Sequence, residues 1–185
     1  YYPSRYNALL NDEQRAFCRS IYQFKQGDIH GIEFFKTCMN ALQLKKRPYH
    51  IMFMPCSNWI KYGQRFKRLD WYIGKHRQDL TSGLYDVDIC DARESLHEAK
   101  GGEKRILERN YLITGNIKGK EIIIIDDVLT TGQSVADYKE EIERCGGKVV
   151  AAIFYGKTFS MPSMLLVQIH IWGNHIAHII ERMTK

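Results

Sequence analysis

Helical spacing of apolar residues fills the beginning of the chain. The sequence predicts a helix over residues 12–24, with Asn11 as its N-cap and Gln14 placed as in a capping box. Gly27 and Asp28 break this helix, and a second helix follows. Residues 1–47 are therefore expected to form N-terminal helices. The apolar face of the second helix consists of Ile32, Phe35, Cys38, Met39 and Leu42.

Short apolar runs alternate with helical segments through the middle of the chain. Strands are predicted over residues 50–54, 84–90, 121–126 and 148–155, and a helix runs from the turn at residues 55–58 to about residue 72. This alternation is typical of a parallel α/β sheet. The sequence therefore predicts one α/β domain over residues 1–185: an open, mainly parallel sheet flanked by helices, with its core at residues 48–158 and a C-terminal extension at residues 159–185.

The run EIIIIDDVLTTGQS at residues 121–134 joins an apolar strand to two carboxylates and a hydroxyl-rich turn. Its four consecutive isoleucines are too few for a buried helix and predict a central parallel strand covered on both faces. Asp126 and Asp127 come at the carboxyl end of this strand, the edge at which open α/β sheets bind ligands. An amphipathic helix is predicted from Val135, and Gly146 and Gly147 close it.

The turn after the two acids has the composition of an anion site. The first N–H groups of a helix lack internal partners and carry partial positive charge, so a phosphate can accept hydrogen bonds from them. Asp126 and Asp127 would accept hydrogen bonds from a vicinal diol and stabilise a ribose ring that becomes cationic. The alternative is that the acids merely end a strand while a hydroxyl caps a helix. The turn residues are Thr130, Thr131, Gly132, Gln133 and Ser134.

This run resembles the phosphoribosyl diphosphate (PRPP) binding motif of type I phosphoribosyltransferases. The resemblance implies that Asp126 and Asp127 are the catalytic residues on the ribose hydroxyls, and that residues 130–134 hold the 5-phosphate. It implies Mg²⁺ as the cofactor, held mainly by PRPP with the two aspartates as the protein groups able to assist. It also implies a small variable hood that holds the nucleobase.

The same resemblance implies that two further segments contact the pyrophosphate or cover the reacting centre. Cys56, Ser57 and Asn58 fall where the family places its pyrophosphate loop, whereas local sequence alone favours an ordinary turn with Ser57 or Asn58 as N-cap. The charged segment 91–120 falls where the family has a mobile loop over the reacting centre, although its pattern is equally that of a solvated loop. The residues of this segment that could reach pyrophosphate are Arg93, Lys100, Lys104, Arg105 and Arg109.

Several blocks together look like the competence-associated (ComF-like) branch of that family. They are YQFKQGD at residues 22–28, MPCSNWIKYGQRFKRLDWY at 54–72, ERN at 108–110 and DDVLTTGQS at 126–134. The arginine–glycine–phenylalanine element of the family appears only as Gln64-Arg65-Phe66. At Thr130, hypoxanthine–guanine salvage enzymes carry an aspartate that handles the base, so the resemblance disfavours a 6-oxopurine substrate.

Net charge and cysteine content indicate the class of ligand and the cellular compartment. A formal net charge of +6 suits either nucleic acid or a polyanionic small molecule such as PRPP. The basic residues are spread out apart from residues 45–47 and 61–75, which favours the small molecule. Five dispersed cysteines without a C-x-x-C pair indicate reduced thiols and a cytoplasmic protein. No apolar run approaches the roughly 20 residues needed to span a bilayer.

Three functions are compatible with these patterns. The leading one is an Mg²⁺-dependent enzyme that moves ribose 5-phosphate from PRPP to an unidentified nucleobase or amine and releases pyrophosphate, with a homodimer as one assembly. The second is a non-catalytic PRPP or nucleotide sensor, or an accessory protein linked to DNA uptake. The third is a nucleic-acid-binding protein that uses the basic surface with Trp59, Trp71 and Trp172.

The C-terminal extension carries three histidines beside Trp172. His175 and His178 share a predicted helical face, but no Asp or Cys lies close by in sequence. Partly buried structural histidines are therefore favoured over a metal site. This extension, or the two N-terminal helices, could supply the hood. The third histidine of the group is His170.

Overall fold

The computed structural model describes residues 11–42, 48–90 and 110–158. The predictions for Arg93, Arg105, the rest of the charged segment 91–109 and the C-terminal extension lie outside these residues. The helices within them are α1 (Asp12–Lys25), α2 (His30–Ala41), α3 (Trp59–His76) and α4 (Gln133–Arg144). The strands are β1 (Tyr49–Phe53), β2 (Leu80–Ser82), β3 (Val87–Ile89), β4 (Tyr111–Ile113), β5 (Glu121–Leu129) and β6 (Lys148–Lys157).

Four parallel strands in the order β2-β1-β5-β6 form the main sheet. The central strands β1 and β5 pair through buried apolar runs, residues 51–53 of β1 and residues 122–125 of β5, as expected for parallel strands that are covered on both faces. The predicted fold class, an open and mainly parallel sheet flanked by helices, is confirmed. A separate antiparallel pair, β3 with β4, lies outside this sheet.

The predicted strand over residues 84–90 was wrong in its extent. The chain pairs with β1 earlier, at β2, and then bends because the Gly83 N–H donates to the Ile51 carbonyl at 2.8 Å and the Asp86 N–H donates back to the Gly83 carbonyl at 3.1 Å. Only Val87–Ile89 is a strand, and it pairs with the unpredicted β4. A turn held by long-range hydrogen bonds leaves little signal in local sequence.

The N-terminal helix begins as its sequence predicts. The Gln14 N–H donates to Asn11 Oδ1 at 2.8 Å, and the Asn11 N–H donates to Gln14 Oε1 at 3.0 Å, which completes the capping box. The helix buries Ile21 and Phe24 and ends at Lys25, and Gly27, with φ +79°, follows its C-cap Gln26. A Cβ at Gly27 would overlap the Gln64 carbonyl oxygen, so a glycine there lets the end of α1 lie directly against α3.

The two crossovers of the main sheet run in opposite directions. The chain leaves β1 through α3 and returns on one side at β2, whereas it leaves β5 through α4 and returns on the other side at β6. The adjacent strands β1 and β5 therefore form a topological switch point. Open α/β sheets bind ligands in the crevice that opens at the carboxyl ends of such a strand pair.

An aromatic layer joins the N-terminal helices to one face of the sheet. Phe66 of α3 stacks on Phe53 of β1 with ring centroids 4.8 Å apart, and Phe24 of α1 stacks on Tyr155 of β6 at 5.2 Å. Phe24 also meets Phe66 edge-on at 6.2 Å. This packing places the C-terminal end of α1 and the middle of α3 beside the carboxyl ends of β1 and β5. No helix within the described ranges is long and apolar enough to cross a membrane.

Candidate functional site

The two acids lie inside β5 and not after it. The predicted strand ended at Asp126, but pairing with β6 continues through Asp126↔Phe154 and Val128↔Gly156 to Leu129↔Lys157. Side chains alternate along a strand, so Asp127 shares the face of Ile123 and Ile125, which is covered by the N-terminal helices. Asp127 is consequently buried, with 6% of its surface exposed. The difference arises because β6 is long enough to extend the ladder past the apolar run.

Two cations from separate helices meet the buried carboxylate. Arg65 Nη1 of α3 lies 2.8 Å from Asp127 Oδ2 and 3.6 Å from Asp126 Oδ1. Lys25 Nζ, at the end of α1, lies 3.4 Å from Asp127 Oδ2. The Arg65 side chain is 16% exposed, so this is a largely desolvated cluster in which each charge depends on its partners. The acid pair is thus neutralised within the protein.

The main partner of the Asp126 carboxylate is a backbone N–H group, whereas that of Asp127 is a cation. Asp126 Oδ1 accepts a hydrogen bond from the Asp127 N–H at 2.7 Å, which folds the carboxylate back along its own strand. Burial raises the pKa of Asp126 to about 6, and the nearby Asp127 charge adds to this effect. The Asp127 N–H, Arg65 and Lys25 oppose the rise only in part. Asp126 is therefore a carboxyl group that changes charge close to neutral pH.

The turn after β5 begins α4, and its Gln133 N–H donates to Thr131 Oγ1 at 3.4 Å. Gly132 is the N-cap of α4, has no side chain to cap the helix and adopts φ +87°. Thr130, Thr131 and Ser134 around it are exposed. The first helical backbone bond of the turn runs from the Ala136 N–H to the Gly132 carbonyl at 3.0 Å, so the preceding amides have no partner inside the helix. This end of α4 has the polarity that attracts an anion.

A small concavity connects the turn to Asp126. It has a volume of about 50 Å³ and lies between the end of β5, the turn and the start of α4. Its size suits a compact anionic group better than a whole nucleotide. Its lining residues are Asp126, Val128, Leu129, Thr130, Gly132, Ser134, Val135 and Phe154. Gln133, the remaining member of the predicted phosphate turn, instead donates from Nε2 to Asp137 Oδ1 at 2.7 Å.

Most side chains of the turn after β1 are buried or hydrogen-bonded to nearby residues of α3. Asn58 is the N-cap of α3, where its Oδ1 accepts from the Lys61 N–H at 2.9 Å, and Ser57 Oγ accepts from Lys61 Nζ at 3.4 Å. Cys56 is buried, and burial raises the pKa of its thiol to about 11. The charges of Arg65 and the acid pair also affect the pKa of this thiol. The Asn58 side chain therefore serves as a helix cap, and the Cys56 side chain is buried.

Asn110 links the far side of the switch point to this turn. Its Nδ2 donates to the Cys56 carbonyl oxygen at 2.8 Å. Asn110 directly precedes β4, so this bond ties the start of β4 to the turn after β1. Sequence reasoning used Asn110 only as part of the ERN block. It also missed Lys25, because nothing in local sequence shows which surface lysine reaches a buried carboxylate.

Comparison with known proteins adds to this geometry. Residues 78–158 match the family model described as phosphoribosyl transferase domain. This segment is similar to that domain family. It includes β5, the turn and α4, and it leaves out α1, α2, β1 and α3. Arg65 and Lys25, which neutralise the acid pair, therefore come from outside the matched segment.

Three curated relatives match parts of the chain. An orotate phosphoribosyltransferase of Sulfolobus acidocaldarius is 42% identical over 57 residues, which are 30% of this chain and 26% of that protein. The transcriptional regulator GfcR of Methanocella arvoryzae is 30% identical over 98 residues, 53% of this chain and 38% of that protein. A second regulator of that name, from Methanosarcina barkeri, is 30% identical over 63 residues. Each alignment spans well under half of the relative's own length.

The acid pair could assist a magnesium ion but could not hold one alone. Within residues 11–42, 48–90 and 110–158, no group of three or more His, Cys, Asp or Glu side chains is arranged to bind a metal. Mg²⁺ is commonly bound through one or two carboxylates together with phosphate oxygens of a ligand. Asp126 and Asp127 fit that pattern, provided that the ligand brings the remaining oxygens.

Proposed function

We propose that this chain binds PRPP at the carboxyl ends of β1 and β5. The 5-phosphate would lie on the turn of Thr130, Thr131, Gly132, Gln133 and Ser134, with the ribose hydroxyls on Asp126 and Asp127. The observation that supports this most directly is the continuity of the concavity at the start of α4 with the Asp126 carboxylate at a topological switch point. The similarity of residues 78–158 to phosphoribosyl transferase domains supports the same assignment.

The ion cluster implies a rearrangement when PRPP binds. In the described structure Arg65 and Lys25 neutralise Asp127, so the carboxylates are not free to accept the ribose diol. A diphosphate on the adjacent ribose carbon would attract Arg65 away from the acids by charge-assisted hydrogen bonds. Mg²⁺, held by PRPP with help from Asp126 and Asp127, would replace the lost positive charge and neutralise the departing pyrophosphate. Backbone N–H groups near Ser57, together with Arg93 and Arg105, are the further proposed pyrophosphate contacts.

We propose that the bound PRPP is used in a pentosyl transfer to a nitrogen base. In this reaction the bond between ribose C1 and the diphosphate oxygen breaks, the base nitrogen forms the new bond to C1, and pyrophosphate leaves. The role of Asp126 and Asp127 would be to stabilise the positive charge that develops on the ribose ring. The likeness to an orotate phosphoribosyltransferase supports this class of reaction, and the ComF-like blocks favour that branch of the family.

A binding protein without turnover is the second candidate function. Two of the similar proteins are named as transcriptional regulators, and the acid pair of this chain is already neutralised by its own cations. Such a site could bind PRPP as a signal and release it unchanged. The two candidates share the binding site and differ only in whether pyrophosphate is produced.

Calorimetry with PRPP, ribose 5-phosphate and ribose would test the binding proposal. We expect PRPP with Mg²⁺ and ribose 5-phosphate to bind, and ribose to bind far more weakly, because the phosphate supplies the anion for the α4 turn. Asp126→Asn should weaken PRPP binding roughly 10- to 100-fold, the loss expected for a charge-assisted hydrogen bond. Asp79→Asn, which removes a surface carboxylate paired with Arg77, is the matched control and should bind normally.

Pyrophosphate release over a panel of purine and pyrimidine bases would then separate the two candidates. Release with any base supports the transferase, whereas tight PRPP binding without release across the panel supports the sensor. Failure of both PRPP and ribose 5-phosphate to bind would refute the proposed site itself. Equal losses in Asp126→Asn and Asp79→Asn would show that only net charge matters.

A further inference from the structure

The exposed face of α3 concentrates positive charge. Lys67 and Arg68 are exposed and form no ion pair with any residue of the described ranges. Two surface cations on other helices, by contrast, are paired: Arg15 with Asp12 at 3.0 Å and Lys139 with Glu143 at 2.7 Å. The helix as a whole carries five Lys and Arg residues against one acid, Asp70. These cations are Lys61, Arg65, Lys67, Arg68 and Lys75.

An exposed tryptophan lies on the same face of α3 as Lys67 and Arg68. Trp71 is 56% exposed, and Lys75 Nζ lies 5.1 Å from the centre of its ring. Residues three and four apart share a helix face. One row about 16 Å long, called the α3 stripe here, therefore contains Gln64, Lys67 or Arg68, Trp71 and Lys75. The opposite face of α3 is buried in the core, so the α3 stripe faces solvent. The buried residues of that face are Tyr62, Phe66, Leu69 and Ile73.

A groove beside Trp71 adds depth to this stripe. It has a volume of about 430 Å³ and lies between the end of α1 and the middle of α3. The space above Gly63 is open, since a Cβ there would meet no atom within 4 Å. The amide side chains of Gln26 and Gln64 lie on its wall and can both donate and accept hydrogen bonds. The groove thus combines an aromatic ring, two amides and two cations that have no ion-pair partner among the described residues.

We infer that this α3 stripe is a binding surface for single-stranded nucleic acid. Phosphates would lie on Lys67 and Arg68, and an unstacked base would stack on Trp71 and enter the groove beside the two glutamines. A positively charged groove combined with an aromatic platform is how proteins bind single strands without sequence preference. Bases of a duplex are stacked on each other and cannot reach Trp71, so a single strand fits the surface better. The stripe is separate from the concavity at the start of α4.

Fluorescence anisotropy with a labelled thymidine oligonucleotide tests the inference. Binding should weaken as salt rises from about 50 to 200 mM, and the double variant Lys67→Gln/Arg68→Gln should lower the slope of log affinity against log salt by about 1.4. The same variant should lose about tenfold or more in affinity at low salt. Trp71→Ala should lose roughly 5- to 100-fold, and Trp71→Phe should retain most of the affinity.

The matched control is Lys139→Gln/Arg144→Gln, which removes two paired cations from α4 and changes the net charge equally. It should bind the oligonucleotide normally. Thermal melting of each variant shows whether it is folded. The inference fails if wild-type protein does not bind, if the control loses as much affinity as the α3 variant, or if Trp71→Ala has no effect. Equal affinity for a duplex, or equal competition by an acidic polypeptide, would also overturn it.

Discussion

Arg65 Nη1 lies 2.8 Å from Asp127 Oδ2 and connects the middle of α3 to the end of β5. Both side chains are largely buried, with 16% and 9% of their surfaces exposed. The pair depends on the aromatic packing of Phe66, the next residue of α3, against Phe53 of β1. The packing of the core therefore places the Arg65 guanidinium beside the acid pair, at the carboxyl-end edge of the sheet.

Replacing Arg65 with glutamine is expected to lower the free energy of unfolding by about 3 kcal/mol, because one partner of a buried ion pair is removed and Asp127 keeps only Lys25. Urea denaturation measures this difference, with an unchanged dependence on urea concentration. Arg68→Gln is the control on the same helix. It removes an exposed cation and should change stability by less than about 0.5 kcal/mol. Equal effects in the two variants would show that the Arg65–Asp127 contact contributes nothing specific.

The pH dependence of stability should report the Asp126 carboxyl group. Its pKa is raised to about 6 in the folded protein from an ordinary value of 3.8, so the folded state holds this proton more tightly than the unfolded state. The stabilising contribution is therefore complete below about pH 4 and is lost as pH rises through about 6. We expect the unfolding free energy of the wild type, minus that of Asp126→Asn, to decrease by about 2 kcal/mol between those pH values.

Asp79 provides a control of opposite sign for this measurement. The hydrogen bond from Arg77 lowers the pKa of Asp79, so its contribution is present above the unfolded pKa and is lost as pH falls. The difference between wild type and Asp79→Asn should therefore change mainly below about pH 4, rising with pH there, and stay nearly constant between pH 4 and 6, where the Asp126 difference decreases. A flat Asp126 profile across this range would show that the carboxyl group titrates as it does in the unfolded chain.

Elements with local signals are where the sequence predicts them. The capping box of Asn11 and Gln14, the isoleucine run of β5 and the alternation of strands and helices each depend on neighbouring residues. The order of elements was then enough to predict a parallel sheet. The boundaries were less accurate: β5 runs three residues beyond its predicted end at 126 because its partner β6 is also long.

Features made by long-range contacts were not predictable from one sequence. The bend that separates β2 from β3 depends on the hydrogen bond from Gly83 to Ile51 of another strand. The ionic partners of Asp127 come from two helices that precede it by many residues, and only tertiary packing brings them together. The roles assigned to Asp126, Asp127 and residues 130–134 in PRPP binding stay predictions. Their geometry near the switch point is compatible with those roles.

A buried histidine gives a second pH-dependent prediction. His50 is 3% exposed, with Nε2 2.6 Å from Asp86 Oδ2 and Nδ1 2.7 Å from Thr81 Oγ1. Burial, together with the charge of Lys120, lowers the pKa of His50 despite the partner carboxylate. The unfolded chain therefore takes up a proton first as pH falls below about 6.5, which favours unfolding. Stability should fall from pH 7 toward pH 5 by up to about 1.4 kcal/mol per pH unit from this group.

Urea denaturation of His50→Gln over the same pH range tests this expectation. The variant should be less stable than the wild type at pH 7, because Asp86 and Thr81 lose their imidazole partner. The loss should shrink toward pH 5, since glutamine does not titrate. Performing both series in the Asp126→Asn background removes the opposite trend from that carboxyl group. A constant difference between the two proteins from pH 7 to pH 5 would contradict a lowered His50 pKa.

Gly132 tests the turn at the start of α4. Its φ of +87° belongs to the left-handed region, and a Cβ there would meet only Leu129 Cδ1, at an ordinary distance of 3.8 Å. Gly132→Ala should therefore lower stability through backbone strain alone, by roughly 1–2 kcal/mol. Gly132→Asn should lose less, because asparagine tolerates this conformation better than alanine does. Thermal or urea unfolding measures both effects.

The matched control is Gly74→Ala in α3, where a Cβ would meet no atom within 4 Å. An alanine inside a helix should raise stability by up to about 1 kcal/mol. Calorimetry with ribose 5-phosphate then connects the turn to the proposed site: Gly132→Ala should weaken binding because its amides are displaced, and Gly74→Ala should not. Normal ribose 5-phosphate binding by a destabilised Gly132→Ala protein would place the phosphate away from this turn.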